Sequence, residues 1–305
     1  MPGSVVFLNG RAHQTTFVSD ILLWVNRTLA DTAFAGSLQV TVSNPSPGGG
    51  ISAAQLFSVL ATPVINSGGI FSAASLDPTQ LTAAAGIGTL FGANFSADTI
   101  LTSSVPWPTT LGGLTLRING VLSPMLYVTP QQLGFQFPWE VTGLSKVTAQ
   151  VTLNGISSAV QTISLNPYSP GIFSMTQTGS GQGAVQIAGT TTLAAAPGSV
   201  AGQVCQPVPK SGFIAIYATG LGPVENPPAD GAAGGVDPLS KTVTQPTLTV
   251  GGIESEVVFS GLAPYLVGVY QVNAKIPANA PSGNAVPLSL RIAGAVSNTV
   301  TIAIQ

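Results

Sequence analysis

Charged side chains are scarce in this 305-residue sequence, which has only 8 Lys and Arg and 10 Asp and Glu. They make up 6% of the chain, whereas a soluble globular domain usually has about 25%. Eight dispersed cations cannot form a basic surface, so the composition excludes a nucleic-acid partner. Because 45% of the residues are hydrophobic and the net charge is only −2, the composition also excludes a disordered chain.

Cysteine and histidine are almost absent, since Cys205 and His13 are the only residues of their kinds. One cysteine excludes an intrachain disulfide, and the two residues together cannot supply the usual zinc ligands. We therefore expect no metal and no cofactor, and we expect Cys205 to be a mostly buried thiol. Asp230 and Asp237 in the loop ENPPADGAAGGVDP could share a calcium ion, but the composition of that loop is typical of an ordinary turn-rich segment.

Long apolar runs are also missing. No stretch approaches 18 uninterrupted apolar residues, so we predict no membrane span, and the first residues lack the pattern of a signal peptide. The 36 Gly and 24 Pro divide the chain into short segments that leave little room for long helices. The sequence therefore predicts an all-β fold.

The chain repeats itself three times. The pairs Asn9-Gly10, Asn119-Gly120 and Gly251-Gly252 each follow a run of alternating apolar residues, SVVFL, LTLRI and TLTV. Such runs are typical of strands with one face in a core, and the pairs supply the left-handed backbone of a tight hairpin turn. Two further strands close each unit, so the three copies span about residues 4–60, 114–166 and 247–305.

Additional strands precede the second and third copies but not the first. GGIFSAAS and GTLFGANF correspond to PGIFSMTQ and GFIAIYATGLG. We therefore predict the C-terminal half of a β-sandwich at residues 1–61, followed by two complete sandwiches at 62–166 and 167–305, the last with a long loop near 222–246. A half-sandwich leaves a sheet edge unpaired and an apolar face bare. We expect residues 1–61 to pack on the neighbouring domain, to associate with another chain (including self-association), or to be poorly ordered.

Two family resemblances extend this interpretation. Residues 1–60, with VVFLNG, TTFVS and VTVSNPSPGGGISAAQLFSV, resemble the later strands of an IPT/TIG domain, which is an immunoglobulin-like sandwich. Residues 62–305, with GGIFSAAS, PTTLGGLTLRINGVLSPMLYVTPQQLGFQFPWEV, SPGIFS, IAIYATGLGPVENPPADGAA and VVFSGLAPYLVGVYQVNAKIP, resemble the uncharacterised C-terminal domain of secreted proteins of Acidobacteria such as Solibacter. One departure is Gly134, where that family usually has Asn in the strand equivalent to the one holding Asn273.

These resemblances imply tandem immunoglobulin-like domains in an extracellular or cell-surface setting, and they bring no catalytic residues with them. The implied partners are other domains of a longer parent protein or a surface polysaccharide. The absent signal peptide is most simply explained if the sequence is the tail of such a protein.

The sequence offers few residues that could form a catalytic site. His13 is the only candidate base for a serine triad, and we expect it to be solvated or on an edge strand. Paired carboxylates could hydrolyse glycosides, and Glu140, Glu225 and Asp230 are the only candidates near aromatic or irregular segments. We expect no catalytic site; a hydrolase using Glu140, Glu225, Asp230 or His13 remains an alternative.

The tryptophans suggest a binding site instead. Trp107 lies between two prolines and Trp139 follows one, so either indole could lie flat on the surface and stack on a sugar ring, although the interpretation as residues that fill a core is favoured. We expect Trp24 in ILLWV to be packed. Three functions remain open: a non-enzymatic structural, adhesion or interaction module, a carbohydrate-binding module using Trp107 and Trp139, and a hydrolase with a loop-borne site.

Overall fold

The computed structural model describes residues 1–32, 36–59, 62–78, 80 and 82–305. The chain divides into two compact units, Met1–Thr62 and Pro63–Gln305. Apart from two single-turn 3₁₀ helices, Leu29–Thr32 and Trp139–Val141, all regular elements of these described residues are β-strands. The predicted all-β class is therefore confirmed. Within the same residues, no helix is long and apolar enough to cross a membrane.

The first unit contains a five-stranded sheet and a separate two-stranded hairpin. The larger sheet has the order β2-β1-β5-β6, with β7 also paired to β5, and the hairpin joins β3 to β4. The strands are β1 Val5–Leu8, β2 Arg11–His13, β3 Thr15–Ser19, β4 Leu22–Val25, β5 Gly36–Asn44, β6 Gly50–Ile51 and β7 Gln55–Val59.

The second unit begins with a sandwich of two five-stranded antiparallel sheets. One sheet has the order β10-β13-β14-β9-β8, and the other has the order β12-β11-β15-β16, with β17 also paired to β15. The strands are β8 Val64–Ser72, β9 Ile87–Ala93, β10 Ile100–Leu101, β11 Leu114–Ile118, β12 Val121–Leu122, β13 Met125–Val128, β14 Gln132–Gln136, β15 Lys146–Leu153, β16 Ile156–Ser157 and β17 Gln161–Ser164.

A second sandwich completes this unit. Its larger sheet has the order β21-β20-β19-β22-β26-β25, with β18 also on β22, and the smaller has the order β24-β23-β27-β28, with β29 also on β27. The strands are β18 Gly171–Ile172, β19 Val185–Ile187, β20 Leu193–Ala194, β21 Cys205–Gln206, β22 Phe213–Thr219, β23 Thr247–Val250, β24 Ile253–Ser255, β25 Val257–Leu262, β26 Tyr270–Lys275, β27 Gly283–Ile292, β28 Ala295–Val296 and β29 Val300–Ile304.

Strand order identifies both sandwiches as immunoglobulin-like. In an immunoglobulin domain, strands A, B, E and D form one sheet and strands C, F and G form the other. Here the neighbours β8-β9-β14-β13 and β18-β22-β26-β25 follow the first order, and β11-β15-β17 and β23-β27-β29 follow the second. The predicted tandem of immunoglobulin-like sandwiches is confirmed by this order.

The three predicted hairpins share one geometry. Asn9, Asn119 and Gly251 have φ values of 48°, 51° and 59°, and the glycine after each is also left-handed. Two consecutive residues at positive φ make the turn whose twist matches that of paired strands. In each copy the first strand of the hairpin also pairs with a long central strand, which in turn pairs with the last strand of the copy. Strands β1, β5 and β7 of the first unit are therefore equivalent to strands C, F and G.

Each sandwich of the second unit has its own core between its sheets. In the first, Leu90, Phe135 and Leu116 are among the side chains with no exposure, and in the second Ile216, Val272 and Leu288 are equally buried. These residues alternate along their strands with residues on the opposite face, as a sheet with one buried face requires. The outward faces are thus left available for other contacts.

Buried polar contacts join the two sandwiches. Thr219 on β22 is 1% exposed; its hydroxyl accepts a hydrogen bond from the Ile87 amide at 2.8 Å and donates one to the Gly268 carbonyl at 2.9 Å. Close to this junction, a Cβ on Gly179 would lie 1.9 Å from the Ser75 carbonyl oxygen. The backbones of the two sandwiches therefore touch directly, without a spacer.

Two expectations about single side chains are wrong. Cys205 is only partly buried, because its short strand β21 is at the edge of its sheet. Trp24 is 63% exposed rather than packed, because Leu23 and Val25 are the residues of β4 that turn inward.

Candidate functional site

A groove of about 640 Å³ lies between the two sandwiches of the second unit. Its volume is within the range of roughly 300–1,000 Å³ that is usual for small-molecule sites. All twenty of its lining residues are uncharged. Five of them are aromatic: Trp107, Tyr127, Phe173, Tyr217 and Tyr265.

One wall of the groove is the outward face of the A-B-E-D sheet of the first sandwich. Along β9, Leu90 points into the core while Ile87 and Thr89 point to the groove. Along β14, Gln132 and Gly134 face the groove in the same way. The strand alternation that builds the core thus also builds this wall.

Gly134 allows Tyr127 to lie flat on this wall. The two residues are opposite each other on β14 and β13, and a Cβ on Gly134 would meet the Tyr127 ring at 2.4 Å. Any larger residue would push the ring away from the sheet. Gly134 therefore sets the position of an aromatic ring in the groove.

Two polar side chains, Thr89 and Gln132, cluster beside the hydroxyl of that ring. Gln132 Nε2 donates to Thr89 Oγ1 at 2.8 Å. Burial raises the pKa of the Tyr127 hydroxyl, and its hydrogen bonds with Thr89 and Gln132 act in the opposite direction. The Tyr127 hydroxyl is therefore protonated at neutral pH, and the cluster offers neutral donors and acceptors to a ligand.

The opposite side of the groove comes from the second sandwich and two loops. Tyr217 on β22 donates from its hydroxyl to Gln186 Oε1 at 3.1 Å, which fixes its ring. Trp107 is in the loop between β10 and β11, where its backbone amide donates to the Gly231 carbonyl at 2.8 Å. Tyr265, in the loop between β25 and β26, is 76% exposed and stands at the mouth of the groove.

Trp139 is not part of the groove. Its side chain is partly buried and packs against the core of the second sandwich, and its indole Nε1 is buried with no hydrogen-bond partner among the described residues. Of the two tryptophans that the sequence singles out, the structure thus places only Trp107 against the groove.

Asp230 and Glu140 are brought together at the Trp139 corner. Asp230 Oδ1 accepts a hydrogen bond from the Trp139 backbone amide at 2.9 Å. Burial, with a smaller contribution from the adjacent Glu140 carboxyl, raises the pKa of Asp230 to about 6 against the opposing effect of the Trp139 hydrogen bond. The neighbouring Gly231 amide donates to buried Gln136 Oε1 at 2.6 Å. The long loop near residues 222–246 of the second sandwich is thus hydrogen-bonded to the first sandwich.

The other two hydrolase candidates do not join this pair. Glu225 is exposed, and its backbone amide pairs with the Lys241 carbonyl. His13 belongs to the first unit, on the edge strand β2 as expected, but it is buried rather than solvated, with Nε2 3.4 Å from Asp31 Oδ1. Across the residues that the structure describes, no group of three or more His, Cys, Asp or Glu is arranged to hold a metal ion.

No protein family and no curated protein matches the sequence. Among solved structures, the I67–I69 fragment of titin is 11% identical with a TM-score of 0.31, and 99% of this chain and 88% of that chain are covered. The I9–I11 tandem of titin is also 11% identical, with a TM-score of 0.22 and coverages of 99% and 87%.

An endo-fucoidan hydrolase from glycoside hydrolase family 107 is 9% identical with a TM-score of 0.16, and 42% of its length is covered. Scores of this size carry no argument about activity. The immunoglobulin-like assignment of the two sandwiches rests on their strand order alone.

Proposed function

We propose that this chain is a non-enzymatic interaction module of a larger secreted or surface protein, and that the groove between its two joined sandwiches binds a neutral polysaccharide. The observation that carries the proposal is the lining of the groove, where five aromatic residues and a neutral hydrogen-bonding cluster occur without a single charged side chain. The extracellular setting is supported by the family resemblance of residues 62–305.

The chemistry of the groove suits a sugar chain. The C–H faces of a pyranose ring stack on aromatic rings such as Trp107 and Tyr127, and its hydroxyls exchange hydrogen bonds with amide and hydroxyl groups such as those of Gln132 and Thr89. A charged ligand would lose its hydration in this groove without gaining a counter-ion. The lining therefore favours a neutral ligand.

The carboxyl pair at the Trp139 corner has a structural explanation. The Asp230 carboxylate satisfies the backbone amide at the start of the 3₁₀ helix Trp139–Val141 and lies outside the groove. Because this contact accounts for the position of Asp230, we assign no hydrolase activity to the pair.

The test is binding to soluble neutral oligosaccharides of cellulose, xylan and chitin, measured by isothermal titration calorimetry with the full chain. We expect Trp107→Ala to weaken binding by roughly tenfold or more, or ~1.4 kcal/mol, since the stacking ring is lost. Trp24→Ala is the matched control, because it removes an exposed indole from the other unit.

Tyr127→Phe separates the contribution of ring stacking from that of hydrogen bonding, since it keeps the ring and removes the hydroxyl. Binding should not change with salt, because charges are absent from the groove lining. The proposal fails if none of the oligosaccharides binds, if Trp107→Ala has no effect on binding, or if binding weakens strongly as salt is added.

A further inference from the structure

The lining of the groove changes with depth. Exposed side chains such as those of Tyr265 and Val105 surround its mouth, and half-buried aromatic rings form its walls. Its floor consists of the lining residues that are buried within the protein, and these are Ala74, Ile87, Thr89, Gly134, Ser174 and Val267. A ligand held between the aromatic walls therefore points one side of itself at the floor, away from solvent.

Two of the floor residues are polar, and the hydroxyls of both already have partners within the protein. Thr89 Oγ1 accepts a hydrogen bond from Gln132 Nε2 at 2.8 Å. Ser174 Oγ accepts hydrogen bonds from the backbone amides of Thr178 at 3.2 Å and Gly179 at 3.1 Å. The polar atoms of the floor are therefore engaged in holding the chain together.

The rest of the floor is apolar. Ala74, Ile87 and Val267 present only aliphatic carbon, and Gly134 has no side chain. A sugar hydroxyl directed at such a surface would lose its bound water without gaining a partner, which is unfavourable. A short apolar group in the same place would remove its own surface and that of the floor from water, which is favourable. The floor thus selects an apolar substituent.

A hydrogen-bond donor lies above this apolar floor. Tyr127 and Gln132 are half-buried and adjacent, and the Tyr127 hydroxyl is protonated at neutral pH, so it can donate to a carbonyl oxygen. From the floor outward, the groove therefore presents an apolar surface, a neutral donor and flat aromatic faces. An acetylated sugar has the same order of groups, because its methyl is apolar, its carbonyl accepts a hydrogen bond and its ring stacks.

We propose that the groove recognises acetylated sugars, with the acetyl methyl on the floor, the acetyl carbonyl at the Tyr127 hydroxyl and the pyranose ring against the aromatic walls. This inference rests on the proposed binding of a neutral polysaccharide and names the chemical class of its sugars. N-acetyl and O-acetyl groups present the same methyl and carbonyl. Both leave the sugar uncharged, as the uncharged lining of the groove requires.

The experiment compares matched oligosaccharides by isothermal titration calorimetry with the full chain. The first pair is the β-1,4-linked tetrasaccharides of N-acetylglucosamine and of glucose, which differ only at the 2-position of each ring. The second pair is acetylated xylo-oligosaccharides before and after mild alkali removes their acetyl esters. We expect the acetylated member of at least one pair to bind about tenfold more tightly, because no hydroxyl is left unpaired on the floor. The pair that shows this preference identifies how the acetyl group is attached.

Two substitutions test the position of the acetyl group. Ile87→Phe fills the floor with a larger side chain, so it should bring the two members of the preferred pair to equal affinity. Ile156→Phe, at a half-buried isoleucine outside the groove, is the matched control and should keep the preference. Tyr127→Phe removes the donor to the acetyl carbonyl, so it should weaken binding of the acetylated member more than binding of the other.

The inference is overturned if the oligosaccharides bind but neither pair shows a preference for its acetylated member. It is also overturned if Ile87→Phe leaves the preference unchanged, or if Tyr127→Phe weakens both members equally. Each of these outcomes leaves the proposed binding of a neutral polysaccharide standing. Failure of every oligosaccharide to bind overturns that proposed function together with this inference, so the two failures are distinguishable.

Discussion

Asp230 allows a sharp prediction about pH and stability. Its pKa in the folded chain is raised from 3.8 to about 6, mainly by burial. In the unfolded chain the carboxyl ionises at lower pH than in the folded chain, so the contribution of this group to stability is greatest below about pH 4 and is lost as the pH rises through about 6. Asp230→Asn removes this titration and keeps an oxygen that can accept the Trp139 amide hydrogen bond.

The magnitude follows from the shift. Two pKa units would correspond to about 3 kcal/mol if the group were fully buried. Asp230 is partly exposed, so solvent screening reduces the effect to the order of 1 kcal/mol. For a domain of this size that is a difference in melting temperature of roughly 2–4 °C. We therefore expect Asp230→Asn to match the parent chain near pH 4 and to exceed it by this amount near pH 7.5.

The assay is thermal unfolding of both proteins across this pH range, followed by tryptophan fluorescence. Asp237→Asn is the matched control, because Asp237 is exposed in the same loop. Parallel pH profiles for Asp230→Asn and the parent chain would refute the reasoning. A variant that is less stable near pH 7.5 would refute it too, since the ionised carboxylate would then be stabilising.

Two further substitutions test the junction between the sandwiches. Gln136→Ala leaves the Gly231 amide without its acceptor, so we expect the free energy of unfolding, measured with urea, to fall by roughly 1–3 kcal/mol. Gln136→Glu, which keeps an acceptor oxygen, is the comparison. Gly179→Ala forces a Cβ against the Ser75 carbonyl at a residue with a φ of 75°, so we expect it to lower the free energy of unfolding by more than about 1 kcal/mol. Gly189→Ala is the control, because Gly189 has a similar φ of 76° but open space around it, and this variant should lower the free energy of unfolding by less. Equal effects of the two glycine variants would contradict the close contact.

The fold was largely predictable because it is specified locally. Asn9-Gly10 and its two counterparts encode the turns, and the alternating runs before them encode strands with one buried face. The prediction that Trp24 is packed is wrong because ILLWV does not show which of its residues turn inward. The register of β3 and β4 decides that, with Leu23 and Val25 inside. The prediction that Cys205 is mostly buried is wrong because the sequence does not reveal that its strand lies at a sheet edge.

The groove could not be predicted from any local pattern. Tyr127 and Tyr217 come from different sandwiches, and they face one space only because buried contacts such as that of Thr219 with Ile87 fix the two sheets together. The alternation along β9 indicates that Thr89 is on the outward face, but it gives no sign that this face meets another domain. Prolines on both sides single out Trp107 in the sequence, whereas Tyr265 has a proline on one side only.

The direct backbone contact between the two sandwiches has a thermodynamic consequence. Because the groove takes one wall from each sandwich, a ligand seated there would be released when either one unfolds or when the two separate. Its binding free energy would therefore add to the cohesion of the whole second unit. A ligand bound in the groove would therefore favour cooperative unfolding of the second unit, because it stabilises the contact between the two sandwiches that form its binding site.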